Sequence, residues 1–265
     1  MSESRLARTW AALRHDGRTA LIPYLTAGHP GLESSLAALR AADDIADIIE
    51  VGVPFSDPLA DGPTIQRSTF EALRQGMTLA GTLALVDRAR LRTPVVIFSY
   101  VNPVLRYGID RFLAAATDLG IAGLLLTDLP AGSDAGLEDA VRASPLDLIR
   151  LVAPTTGAQR LAVSVRGAEG FLYLVARLGV TGATTELAAG LAESVARVRA
   201  VTPLPVAVGF GISSAAQAGA VARLADGVVV GSALVDCLER DGVTGAARFL
   251  ASLRVAIDNA PVAVG

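Results

Sequence analysis

Eight short apolar runs rich in β-branched residues alternate with longer amphipathic stretches, and this alternation constrains the fold more than any other feature of the sequence. The runs lie roughly 25–30 residues apart, and a helical pattern follows each of them. Such alternation predicts parallel strands, and eight units predict an α/β fold closed into a (β/α)8 TIM barrel. The predicted strands are 19–25, 47–53, 94–100, 121–127, 147–153, 170–176, 205–210 and 226–232.

The helical segments carry start signals that support this reading. Ser213 and Ser214 precede one amphipathic stretch, and Thr185 with Glu186 opens another. An extra amphipathic segment from Arg5 to Arg14 precedes the first strand, and we expect it to cap the bottom of the barrel. An open doubly wound sheet is the competing fold, but the loop LTAGHPG after the first strand is not the glycine fingerprint of such sheets. We therefore expect one barrel domain over residues 1–265.

The amino-acid composition argues against several kinds of catalytic mechanism. All 23 residues of the Lys+Arg total are arginine, so the chain has no lysine for a Schiff base, for attachment of pyridoxal phosphate or for a P-loop. Its two histidines make a histidine-rich metal site improbable, and we expect no metal. Carboxylates, hydroxyls and backbone amides remain as the candidate catalytic groups.

Net charge, apolar runs and cysteine content indicate which partners and which compartment to expect for the protein. The net charge of −3 indicates no polyanionic partner, and we expect no nucleic acid. No stretch approaches the roughly 20 apolar residues of a membrane helix, so we expect no membrane association. The single cysteine, Cys237, cannot form an intrachain disulfide and fits a reducing cytoplasm.

Three glycine-containing loops follow the predicted strands six, seven and eight. Gly182 ends the first loop, Gly211 lies in the second, and Gly231-Ser232 forms the third, with helices predicted after the last two. Glycines let a backbone approach an anion, and a helix N-terminus adds a favourable dipole. The alternative is that these glycines only make tight turns. Three such loops on adjacent strands favour a phosphate or phosphosugar site.

Two carboxylates stand out near the predicted mouth of the barrel. Glu50 lies near the end of strand two among apolar residues, which should raise its pKa by desolvation and make it a proton donor near neutrality. The alternative is a structural glutamate paired with Arg150. Asp61 lies in a proline-stiffened loop and could face the mouth, or could instead cap the helix that starts near Pro63. Asp57, in the same loop, could be a turn residue.

Aromatic residues are predicted around the same mouth. Tyr24, Tyr100 and Phe210 lie at or near strand ends and could wall an apolar, aromatic pocket. Tyr173 lies on strand six and could present its hydroxyl to the mouth, although core tyrosines are more usual.

The loop after the second predicted strand carries the most specific motif of the sequence. The stretch EVGVPFSDPLADGPTIQ (50–66) resembles the signature of the tryptophan synthase α subunit family, and the similarity extends over nearly the whole chain. Further motifs occur in the family's order and spacing: YVNP-x3-YG (100–108), DLP (128–130), LVAPTT (151–156), Y-x3-R-x-GVTG (173–182), GFGIS (209–213) and GSALV (231–235).

The resemblance implies a reaction and roles. The family cleaves indole-3-glycerol phosphate into indole and glyceraldehyde 3-phosphate in tryptophan biosynthesis, with no cofactor in this chain. Glu50 would be the general acid–base, Asp61 would face the indole N–H, and Tyr173 would support binding. The phosphate would be held at Gly182, Gly211, Gly231 and Ser232.

The resemblance also implies a partner. The family's α subunit assembles with a β subunit that carries pyridoxal phosphate, in an α2β2 heterotetramer to which indole is passed. The mobile or partner-facing residues would be Asp57, Pro58, Asn102, Pro130 and Thr181. Departures from the commoner pattern occur at His29, Thr127, Ala176 and 131–136, and they concern the partner contact and loop ordering.

Other functions are compatible with parts of this pattern. A phosphosugar isomerase or metal-dependent epimerase shares the barrel and phosphate loops, but the epimerase would need more histidines and the isomerase no aromatic pocket. A stand-alone indole-releasing lyase and a catalytically idle activator of a β subunit carry the same motifs, so a motif alone does not exclude them.

Overall fold

A computed structural model describes residues 4–175, 184–209 and 211–260, and eight parallel strands in these ranges close into a barrel in sequence order. Each strand pairs with its neighbours in the chain, and β1 closes the ring against β8. The predicted barrel is confirmed, with strands shorter than the apolar runs at most of their ends. The strands are β1 (Ala20–Thr26), β2 (Ile49–Gly52), β3 (Val95–Ser99), β4 (Gly123–Leu126), β5 (Asp147–Val152), β6 (Leu172–Val175), β7 (Val206–Gly209) and β8 (Gly227–Val230).

Helices surround the barrel, and two of them follow each of the strands β2 and β3. Ser214 caps α10 by accepting a hydrogen bond from the amide of Gln217 at 3.3 Å, as its position in the sequence predicts. No helix of the described ranges is long and apolar enough to cross a membrane. The helices are α1 (Arg5–His15), α2 (Leu32–Asp43), α3 (Pro63–Arg74), α4 (Leu79–Ala89), α5 (Val101–Tyr107), α6 (Ile109–Asp118), α7 (Ala135–Arg142), α8 (Ala158–Ser164), α9 (Thr184–Arg199), α10 (Ala215–Ala222) and α11 (Ser232–Asp258).

The strands bury both faces, which explains their continuous apolar sequences. One face packs against the helices in the larger apolar cluster, and the other fills the barrel interior. Side chains alternate along an extended chain, so Glu50 of β2 lies on the same side as Ile48, which directly precedes the strand and belongs to the interior cluster. A carboxyl group therefore occupies a layer that is otherwise apolar.

Helix α1 closes the bottom of the barrel, as predicted for the segment Arg5 to Arg14. Leu6 and Trp10 belong to the interior cluster, and the ring of Trp10 lies 5.6 Å from that of Phe171. The glycine at position 227 leaves room for the Trp10 ring against β8, because a Cβ there would lie 3.0 Å from that ring. The closed bottom leaves the opposite end, at the carboxyl ends of the strands, for a site.

We predict that Phe171→Ala lowers the free energy of unfolding by about 3–5 kcal/mol. The substitution removes a fully buried ring that packs against Trp10 where α1 closes the bottom of the barrel. Equilibrium urea denaturation measures the change. Val255→Ala on α11 is the control, since that side chain is 59% exposed and its loss should change stability by less than about 0.5 kcal/mol. Equal effects of the two substitutions would contradict the claim that Phe171 stabilises the closed bottom of the barrel.

Candidate active site

A cavity of about 1160 Å³ opens at the carboxyl ends of the strands, where barrel enzymes place their sites. It is lined by residues of the loops after several different strands. The predicted residues Gly182, Thr181 and Phe210, and the departure at Ala176, lie outside the described residues. The lining includes the following predicted site residues: Tyr24, Asp61, Pro130, Tyr173, Gly211, Gly231 and Ser232.

Glu50 is fully buried and is not among the lining residues of the cavity, and within the part of the chain that the structure describes neither of its carboxyl oxygens has a hydrogen-bond partner. The pairing with Arg150, weighed as the alternative, is wrong, because Arg150 Nη2 lies 2.6 Å from Glu138 Oε2 instead. Desolvation alone raises the pKa of Glu50 to about 8. The group is therefore protonated at neutral pH and able to donate a proton.

Asp61 lies at the wall of the cavity and is partly buried. Its amide donates to the Pro58 carbonyl at 3.1 Å, and its carbonyl accepts from the Gln66 side chain at 3.0 Å, which fixes the loop. It does not cap helix α3, whose N-cap is Gly62, so that alternative is wrong. Desolvation raises the pKa of Asp61 to about 6, while a hydrogen bond from Tyr100 opposes the shift. Asp61 is therefore largely ionised at neutral pH, unlike Glu50.

Tyr24 stands beside Glu50 across the β1–β2 pair. Its ring meets Phe98 edge-on with centroids 5.2 Å apart, so the two rings form an aromatic wall of the cavity. Tyr100, predicted to wall the same pocket, is not among the lining residues. Its hydroxyl accepts a hydrogen bond from the amide of Ala60 at 2.9 Å, and Tyr100 thereby holds the loop that carries Asp61 in place.

Tyr173 lines the cavity from β6 and is buried. Burial raises the pKa of its hydroxyl well above the usual value, and Glu50 acts in the same direction once it is ionised at high pH. Two strand-end glycines make room for the tyrosine hydroxyls at the barrel mouth. A Cβ at Gly209 would overlap the Tyr173 hydroxyl, and a Cβ at Gly52 would overlap that of Tyr24.

The loops after β7 and β8 form a second, polar part of the cavity. Gly211 has a φ of 87°, in the left-handed region that favours glycine, and Gly231 directly precedes α11, which begins at Ser232. First-turn amides of a helix have no partner within it, so the start of α11 suits an anion. Asp236 also lines the cavity, but Arg67 Nη2 lies 2.7 Å from its carboxylate and offsets its charge.

The residues predicted to face a partner lie around the same end of the barrel. Asp57 and Asn102 are exposed, and so is Pro130 at the cavity rim, whereas Pro58 is buried. Asp57 accepts a hydrogen bond from Ser56 Oγ at 2.6 Å. Two large apolar side chains next to these positions in sequence are solvent-exposed: Leu59 at 92% and Leu105 at 50%.

Sequence reasoning missed several residues of the cavity. Phe98 could have been found by alternation, because it follows Val96 on the inward face of β3. Asp236 and Ile65 come from helices, and no local pattern indicates which helical residues reach the mouth. Gly52 and Gly209 leave space for the hydroxyls of Tyr24 and Tyr173. The sequence indicates this role only weakly, through a glycine at the end of a strand.

The buried carboxyl should make stability depend on pH in a defined direction. The ordinary pKa of 4.5 applies to Glu50 in the unfolded chain, against about 8 in the fold. As pH rises above 4.5, the unfolded state loses its proton while the folded state keeps it, so unfolding becomes more favourable until about pH 8. Glu50→Gln removes this effect.

We therefore predict that the free energy of unfolding of Glu50→Gln exceeds that of the wild type by about 4 kcal/mol at pH 8. This difference should shrink as the pH falls toward 4.5. Urea denaturation of both proteins across this range measures it. Asp61 titrates in both proteins, so its contribution cancels. A difference that is independent of pH would contradict the burial of a protonated Glu50.

Comparison with known proteins agrees with this geometry. The family model described as "Tryptophan synthase alpha chain" matches residues 10–260. Tryptophan synthase alpha chains from Caulobacter sp. (strain K31) and Chloroflexus aurantiacus are 48% and 47% identical, covering 90% and 96% of this chain and 88% and 98% of their own. A solved structure of Mycobacterium tuberculosis tryptophan synthase superposes with a TM-score of 0.88 at 42% identity, covering 97% of this chain and 99% of that one. With its closed barrel and its buried carboxyl group beside the cavity-lining Tyr24, this chain belongs to the tryptophan synthase alpha chain family.

Proposed function

We propose that Glu50 is the general acid–base with which this chain carries out the reaction of its family. Family members are lyases that cleave indole-3-glycerol phosphate into indole and glyceraldehyde 3-phosphate. The observation that carries the proposal is the buried carboxyl of Glu50, which has no hydrogen-bond partner among the described residues and a pKa raised to about 8. Glu50 pairs in register with Tyr24, which lines the cavity. Glu50 is thus protonated when substrate arrives.

One carboxyl group is sufficient for both proton transfers. Glu50 first donates its proton to C3 of the indole ring, which makes the ring an electron sink and leaves Glu50 as a carboxylate. The carboxylate then takes the proton of the glycerol hydroxyl, and the C–O bond becomes a carbonyl. The electron pair of the broken carbon–carbon bond returns to the ring, so indole and glyceraldehyde 3-phosphate leave while Glu50 regains its proton.

Asp61 provides the complementary charge. Protonation at C3 places positive charge on the indole nitrogen, and an ionised carboxylate that accepts its N–H favours this intermediate over the neutral substrate. The pKa of about 6 supports this division of roles, since Asp61 is ionised at a pH where Glu50 is not. Tyr100 holds the loop in place through Ala60, and Tyr173 supports binding near Glu50.

The substrate phosphate is held at the loops after β6, β7 and β8. Gly211, Gly231 and Ser232 line the cavity, and the N-terminus of α11 favours a dianion there. Gly182 is proposed as the fourth member from the sequence alone. The aromatic wall of Tyr24 and Phe98 accommodates the indole ring, and Phe210 is proposed as a further wall residue.

The chain acts with a β subunit in an α2β2 assembly in the cytoplasm, as a single barrel domain over residues 1–265. Pyridoxal phosphate belongs to the β subunit, since this chain has no lysine to bind it. The proposed partner-facing residues are Asp57, Asn102, Pro130 and Thr181, and the buried Pro58 belongs to the mobile loop between β2 and α3. The exposed Leu59 and Leu105 beside them support this surface, because buried apolar area stabilises such contacts.

Product release separates the alternatives. The purified chain is mixed with indole-3-glycerol phosphate, alone and with a tryptophan synthase β subunit, and indole and glyceraldehyde 3-phosphate are measured. Slow release that rises sharply with the partner is expected for an α subunit. Fast release by the chain alone would indicate a stand-alone lyase, and no release in either case would leave an idle activator.

We predict that Glu50→Gln lowers turnover by at least about 100-fold, because the amide can neither donate nor take the proton. Asp61→Asn should also lose activity, since it removes the charge that favours the intermediate. Glu33→Gln is the control, since its side chain is 75% exposed on α2 and pairs only with Arg88 among its described contacts. Near-normal indole release by Glu50→Gln would refute the assignment of Glu50.

A further inference from the structure

A buried ion pair connects strand β5 to helix α7 beside the cavity. Arg150 and Glu138 are 4% and 5% exposed, and their Nη2 and Oε2 atoms lie 2.6 Å apart. Burying two charges is costly, and replacing such a pair by apolar residues is often neutral or favourable for stability. The pair is therefore poorly explained as a device for stability alone.

Both members of the pair also bind the backbone of the loop between β4 and α7. Arg150 Nη1 donates to the Leu129 carbonyl at 3.0 Å, and Glu138 Oε1 accepts the amide of Gly132 at 2.7 Å. These two bonds lie on either side of Pro130, the exposed rim residue assigned to the partner surface. The loop itself lines the cavity with Thr127, Leu129, Pro130 and Ala131.

The same loop continues to the other elements of the site. Asp128 Oδ1 accepts the amide of Val101 at 2.8 Å, which fixes the start of α5 directly before Asn102. The preceding residue, Tyr100, binds the amide of Ala60 next to Asp61. A continuous set of short contacts thus runs from the ion pair through the partner-facing loop to the loop of Asp61.

We propose that the Arg150–Glu138 pair is a positioning clamp, which holds residues 127–133 in the shape that binds the β subunit and completes the substrate cavity. Arg150 itself also lines the cavity, and the clamp acts on the site by positioning the loop. This proposal rests on the proposed function for its partner, but the state of the loop is observable without one.

The test replaces the pair by apolar residues of similar size, Arg150→Met with Glu138→Leu. The matched control is Arg142→Met with Asp139→Leu, which removes an exposed ion pair from the same helix α7. For each protein we would measure the melting temperature, amide hydrogen exchange at Gly132, KM and kcat for indole-3-glycerol phosphate, and the dissociation constant for the β subunit.

The clamp predicts a variant that melts near the wild-type temperature, exchanges the Gly132 amide at least about 10-fold faster, and binds the β subunit at least about 10-fold more weakly. Its KM should rise more than its kcat falls, since the loop shapes the cavity and not the chemistry. The control should match the wild type. A folded variant with wild-type exchange, affinity and KM would overturn the proposal.

Arg150→Lys keeps the charge but lacks the planar fork that reaches both Glu138 and Leu129. If the double variant fails to fold, this variant decides: weaker binding to the β subunit supports the clamp, and wild-type affinity refutes it. If the wild-type chain neither cleaves the substrate nor binds a β subunit, the proposed function fails. Hydrogen exchange at Gly132 in the isolated chain still tests the clamp in that case.

Discussion

The interior of this barrel holds the carboxyl group of Glu50, which has neither a charge partner nor a hydrogen bond among the described residues, and the rest of the site depends on it. Ionising Glu50 there would place an uncompensated charge among apolar side chains, at a cost of several kcal/mol. The fold avoids this cost by keeping the proton. A group that holds its proton at neutral pH, yet can release it to a carbon atom of a bound ring, is what an acid-catalysed cleavage requires.

The architecture supplies this environment through closure at one end. Leu6 and Trp10 of α1 pack in the interior cluster with Phe171 and close the bottom, so the large cavity lies at the opposite end, at the mouth. The closed ring also brings groups that are distant in sequence to one cavity. Asp61 on the loop after β2 and Ser232 at the start of α11 both line it. The proposed division between an indole end and a phosphate end follows from this arrangement.

The fold and the central carboxyl were accessible from the sequence because each has a local signal. Strands buried on both faces must be continuously apolar, so the runs of β1 and β8 were readable, and a glutamate inside such a run stands out. Long-range partners have no such signal. Arg150 was weighed as a partner of Glu50 because both lie in strands, but the alternation of side chains sends Arg150 toward Glu138 on a helix.

Residues at strand ends were harder to place for a related reason. Tyr100 follows β3 at the mouth, as a pocket aromatic would, yet its backbone enters α5 and its hydroxyl reaches Ala60. The direction of a side chain beyond the last strand residue depends on the loop conformation, which tertiary contacts decide. The second helix after each of β2 and β3 was unpredicted because eight strand–helix units already account for the barrel.

The protonation state of Glu50 is the central claim, and nuclear magnetic resonance can observe it directly. In a chain labelled with 13C at glutamate carboxyls, the Glu50 signal is assigned by its loss in Glu50→Gln and followed as pH is raised. We expect the Glu50 carboxyl to give the signal of a neutral acid at pH 7 and to titrate near pH 8. A Glu50 carboxyl that is already ionised at pH 6 would contradict it.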